Sequence, residues 1–131
     1  MDEVSESLKE QIAINAKPAK FQGYSVGVLN FNAPGLTKPI GRQINTNFEK
    51  KGTPIDFSVL WGYEYTKQAY SITLIDNHKP TSTINLKELA EKIARATGSK
   101  HGSGGHKHES HVYIDKKPGQ DIWDLFTKKI I

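Results

Sequence analysis

The residues best suited to chemistry lie in one run, Gly102-Ser103-Gly104-Gly105-His106-Lys107-His108. Glycines let main-chain N–H groups approach a ligand closely and adopt left-handed conformations, and successive exposed N–H groups make a nest for an anion. His106 and Lys107, directly behind the glycines, add side-chain donors and positive charge, which favours a phosphate over a neutral ligand. The competing reading is a plain surface loop between a helix and a strand. Four of the five histidines, at 101, 106, 108 and 111, fall within eleven positions. A metal is therefore a further candidate, but the spacing is not that of zinc sites and Glu109 is the one acidic residue in the run. Phosphate-contacting or surface histidines fit better.

Asp76-Asn77-His78 follows an apolar stretch, where a strand end can present Asp and His to a metal. A polar turn before Pro80 is favoured, because no second acidic cluster completes a dinuclear site. Trp61, Tyr63, Tyr65 and Tyr70 make an aromatic group that either stacks a base or fills out a hairpin, the latter being the commoner use. Ser58, Ser71 and Thr73 fall in apolar alternating segments and read as strand hydroxyls. G-x-S-x-G, Walker A, H-E-x-x-H and paired strand-end carboxylates are all missing from the sequence. The absence of cysteine excludes disulfides, thiolate metal sites and thiol nucleophiles.

The elements that would hold these residues can be read from periodicity. Val4, Leu8, Ile12 and Ala16 predict a helix over 3–16, ended by Lys17 and Pro18. Tyr24 to Phe31 reads as a strand, bounded by Gly23 and Pro34-Gly35. Ile40, Ile44 and Phe48 predict a helix over 38–50, with Pro39 in its first turn and Gly52 as its stop. Ile55 to Trp61 and Ala69 to Ile75 suggest an antiparallel hairpin. Asn85 with Glu88 forms a capping box, Leu86, Leu89, Ala90, Ile93 and Ala94 form one stripe, and Gly98 suits a left-handed cap. Residues 98 to 105 read as a loop, His111 to Asp115 as a strand, Pro118-Gly119 as a turn, and 121–131 as a helix. A chain of 131 residues with 36% apolar and 24% charged residues then makes one α/β domain, a mixed sheet of about four to five strands flanked by helices. Its net charge of +4 suits an anionic ligand without requiring nucleic acid. No apolar run is long enough to span a membrane, and the polar N-terminus is unlike a signal peptide, so a cytoplasmic protein is expected.

The stretch Tyr70 to Asp76, the helix that follows it and the run GSGGHKHES together resemble the C-terminal substrate-binding, DHH-associated domain of the DHH-superfamily phosphoesterases. That family carries an S-L-R-S-like strand, then a helix, then a GGGGH-K-x-A-A loop. The resemblance implies a helix and connector over 1–20 and the substrate-binding domain over 21–131. It also implies that Gly102, Ser103, Gly104, Gly105, His106 and Lys107, with Thr73 at the serine position of the strand, grip the phosphate or terminal nucleotide of an oligonucleotide or nucleotide. Two divalent ions, commonly manganese, would sit in the DHH catalytic domain, which lies outside this sequence, either in a parent chain or in trans. This chain alone would then bind no metal and would not catalyse. Three departures stand out: Ile75 replaces the family's arginine, Ser103 a glycine, and Glu109-Ser110 the two alanines. They motivate a second expectation, a free-standing interaction or regulatory module that keeps the fold without the ligand. The third is a small hydrolase with its own metal at Asp76, His78 and the histidine run.

Overall fold

The computed structural model describes residues 6–33, 35–77 and 83–115. In chain order these form α1 (Glu6–Ala13), β1 (Lys17–Phe21), β2 (Tyr24–Asn30), α2 (Thr37–Lys50), β3 (Phe57–Glu64), β4 (Ala69–Ile75), α3 (Leu86–Thr97), β5 (Ser103–His106) and β6 (Glu109–Ile114). The six strands make one mixed sheet, ordered β1-β2-β3-β4-β6-β5. Only β2 and β3 run parallel, and α2 is the crossover between them. The expected α/β class is what folds, with six strands in place of four to five.

The two additional strands sit at the sheet's edges, where sequence signals are weakest. In β1, Pro18 and two lysines look unlike a strand, yet an edge position tolerates a missing N–H and flanking charge. Gln22 and Gly23, both at positive φ, turn the chain back so that Phe21 faces Tyr24, the geometry of a two-residue hairpin turn. The sheet therefore begins inside the stretch expected as helix and connector over 1–20. At the other edge, Ser103–His106 is a strand and not the expected loop, because it pairs antiparallel with β6. The helix expected over 3–16 is shorter within the described residues, and the helix and turn expected after 116 lie outside them.

Helix α3 follows its sequence signals closely. The Asn85 side chain accepts a bond from the Glu88 N–H, and Gly98 closes the helix at φ +66°. Its stripe of Leu86, Ala90 and Ile93 buries against Val59, Ile72, Leu74, Val112 and Ile114 on one sheet face. Leu86 N–H donates to the Lys107 carbonyl at 2.8 Å, and the Ser110 hydroxyl to the Leu86 carbonyl at 2.7 Å. The helix start is thereby tied to the β5–β6 hairpin.

Helix α2 lies on the opposite face, where Ile40, Ile44 and Phe48 join Ala13, Leu60 and Ile75 in a second core. It approaches closely because Gly41 has no side chain; a Cβ there would lie 2.6 Å from the Ile75 Cδ1. A buried polar clamp fixes its height. Asn45 donates to the Ile75 carbonyl at 3.1 Å, and the single Ser58 hydroxyl proton is shared between Asn45 Oδ1 at 2.6 Å and the Gly41 carbonyl at 2.8 Å. Among the described residues no helix is long and apolar enough to cross a membrane. Asn45→Ala strips the Ile75 carbonyl of this donor inside the core and is expected to lower stability by about 1–3 kcal/mol, measured as a shift of the urea midpoint at unchanged slope.

Candidate functional site

Because α2 covers only part of its sheet face, a cleft of about 650 Å³ opens between its N-terminal half and strands β4, β6 and β5. Directly paired residues of neighbouring strands project to the same face, so the register determines the floor. Thr73 pairs with His111 and His111 with Gly104, and the next row along joins Ile75, Glu109 and His106. Ser71 pairs with Tyr113 on the other side of Thr73. The wall is α2, whose Lys38 and Arg42 stand one turn apart, together with Asn32 and Gly35 from the preceding loop. Hydroxyls therefore line the middle of the cleft and cations its α2 side.

Glu109 holds those cations in place. Its carboxylate meets Lys38 Nζ at 3.0 Å, Arg42 at 3.4 Å and His106 Nε2 at 3.2 Å, and its side chain is only 16% exposed. Burial pushes the Glu109 carboxyl up, but the hydrogen bond and charge of Lys38, followed by those of His106, outweigh it and hold the group below its ordinary value of 4.5. An arriving anion would compete with this carboxylate for the same donors.

The expected site residues divide. Thr73, Gly105 and His106 line the cleft. Gly104 lies beneath His111, where a Cβ would come within 2.8 Å of the imidazole Cε1. Gly105, at φ +113°, lets the chain pass the Glu109 carbonyl, 2.5 Å from where its Cβ would be. Gly102 spends its N–H on the Ser99 hydroxyl and its carbonyl on Tyr113 N–H. Ser103 pairs with Val112, whose side chain belongs to the α3 core. Lys107 occupies the β5–β6 turn and contributes its carbonyl to α3. Strand amides alternate in direction, so the glycines do not form the anticipated nest of successive N–H groups. Their use here is close approach.

Lys38, Arg42 and Glu64 line the cleft without having been expected there, and His111, expected only as one of the clustered histidines, joins them. Lys38 and Arg42 were detectable as an i, i+4 pair at the start of an amphipathic helix; nothing local pointed to Glu64. Asp76, 3% exposed, pairs with His108 Nδ1 at 3.1 Å and takes the His108 carbonyl on its N–H. His78 lies outside the described residues, among which no three His, Asp or Glu side chains gather as metal ligands. The aromatic group of Trp61, Tyr63, Tyr65 and Tyr70 is a chain of tilted and edge-on contacts along the β3–β4 hairpin.

The class this architecture defines is a small α/β domain with a mixed sheet, one helix layer on each face and an open polar cleft. No family model and no curated protein matches the sequence. Several solved structures share its fold, among them the two that follow. The pGpG-specific phosphodiesterase PggH from Vibrio cholerae superposes with a TM-score of 0.55 at 14% identity over 95% of this chain. The chain spans only 38% of that protein. The C-Ala domain of alanyl-tRNA synthetase from Aquifex aeolicus superposes with a TM-score of 0.53 at 13% identity, over 87% of this chain and 96% of the domain.

A folded carboxyl held low stabilises the fold above its unfolded value, and that contribution is lost as pH falls through the lowered folded value. Wild type is therefore expected to lose this contribution as pH falls below about 4.5, and Glu109→Gln to show a shallower acid limb in urea titrations across that range.

Proposed function

We propose that this chain is the substrate-binding domain of a DHH-type, metal-dependent phosphoesterase, gripping the phosphate or terminal nucleotide of a nucleotide or short oligonucleotide. The observation that carries the reading is the cleft itself, which gathers Thr73, Gly105 and His106 with the cations Lys38 and Arg42. Volumes of this size accommodate small organic ligands, and Arg, Lys and His are the usual donors to phosphate oxygens. Fold neighbours add support, since one is by name a phosphodiesterase of a dinucleotide and the other a domain of a tRNA synthetase. In this reading the manganese belongs to a DHH catalytic domain in the parent chain or in trans, and this chain orients and holds the substrate. Its binding groups act by exchanging the Glu109 carboxylate for phosphate oxygens at Lys38, Arg42 and His106.

The ion pairs that Glu109 makes with Lys38 and Arg42 favour a second reading, an interaction or regulatory module whose anion seat is already filled by its own carboxylate. The two readings part in one titration. Calorimetry with pGpG is expected to show binding that does not require manganese and weakens about tenfold in His106→Ala, the loss of one charge-assisted hydrogen bond. No heat with wild type would leave the interaction module.

A further inference from the structure

Glu64 is the last residue of β3 and lines the cleft at the end remote from Glu109. Its Oε2 atom is buried and has no hydrogen-bond partner among the described residues. An unsatisfied buried carboxylate oxygen is unfavourable, and native folds keep such groups where something else supplies the partner. Nearby, burial and then the Glu64 charge push the Tyr113 phenol up, so the cleft floor at this end is a neutral hydroxyl beside an anion. The other end is the cationic seat of Lys38, Arg42 and His106.

The register gives the separation of the two ends. Glu64 pairs with Ala69 and Glu109 with Ile75, six residues apart on β4, or roughly 20 Å along the strand. The cleft therefore suits an elongated ligand with an anionic group at one end and N–H donors at the other. An ionised carboxylate only accepts, and its two oxygens match two adjacent donors. Among the bases, guanine presents N1–H and the N2 amino group side by side, whereas adenine sets the N1 lone pair beside its one amino group.

We propose that Glu64 is the specificity-determining residue of the cleft, accepting the Watson–Crick edge of a guanine in a dinucleotide whose phosphate lies at Lys38, Arg42 and His106. This rests on the nucleotide-binding reading above. The guanine's N–H groups meet the Glu64 carboxylate from the cleft, a turn of the side chain brings its buried oxygen the partner it lacks, and a base that turns a lone pair toward the carboxylate is repelled. Sites built on hydrogen bonds to a ligand discriminate strongly against analogues that lack the donor.

The test is a set of calorimetric titrations of pGpG, pApA and pIpI, whose hypoxanthine keeps N1–H and lacks the amino group, into wild type and Glu64→Gln. Wild type is expected to bind pGpG at least tenfold more tightly than pApA, with pIpI between them. Glu64→Gln is expected to bring the pGpG and pApA affinities within about threefold of each other, by weakening pGpG and relieving the repulsion of pApA, and to melt no lower than wild type, since it removes a carboxylate oxygen buried without a partner. Equal binding of pGpG and pApA by wild type, or an undiminished preference in the variant, would overturn the role of Glu64 and leave the nucleotide reading standing. Failure to bind any of the three would remove both.

Discussion

Everything at the cleft depends on how closely α2 sits on the sheet. Gly41 removes the side chain that would hold the helix off, and the Asn45–Ser58 clamp ties it to β3 and to the end of β4. Apolar contacts alone would allow the helix to slide along its ridges; directional bonds to a buried carbonyl do not. With that height and rotation set, Lys38 and Arg42 project past the covered part of the sheet toward Glu109. The same placement leaves Ser71, Thr73, His111 and Tyr113 uncovered on the outer strands.

The second face works differently. There α3 is tied at its start to the β5–β6 hairpin by Leu86, Lys107 and Ser110, while Asp76 holds the same hairpin from the end of β4 through His108. The hairpin that carries His106 and Glu109 is therefore gripped from behind by backbone and side-chain bonds. Its edge position frees the opposite side for a ligand. The polarity that results is a cationic seat balanced by Glu109 at one end and an acceptor at Glu64 at the other. Such a cleft selects by arrangement of charge more than by net charge, which for the whole chain is only +4.

How much of this could be read in the sequence follows from where each signal lives. Helices α2 and α3 were legible because their apolar residues recur at helical spacing and, for α3, because Asn85, Glu88 and Gly98 carry cap chemistry in their own side chains. Strands β2, β3, β4 and β6 were legible from β-branched and aromatic alternation. Edge strands β1 and β5 were not, since Pro18 and the glycines adopt extended structure only because a neighbour pairs with them. The same tertiary cause shapes the cleft. Gly104 and Gly105 serve contacts with His111 and Glu109 from β6, and no local pattern encodes those. Thr73 and His106 do meet in one cleft, but the cations facing them come from a helix more than thirty positions upstream of Thr73, beyond the reach of motif spacing.

If the cleft between α2 and the outer strands is the ligand site, amide chemical-shift mapping with pGpG reveals it without any substitution. Shifts are expected to concentrate at Lys38, Arg42, Glu64, Thr73, His106, Glu109 and His111. Shifts confined to the apolar groove of Pro18, Val26, Phe48 and Ile55 at the other edge of the sheet, or no shifts at all, would contradict that assignment.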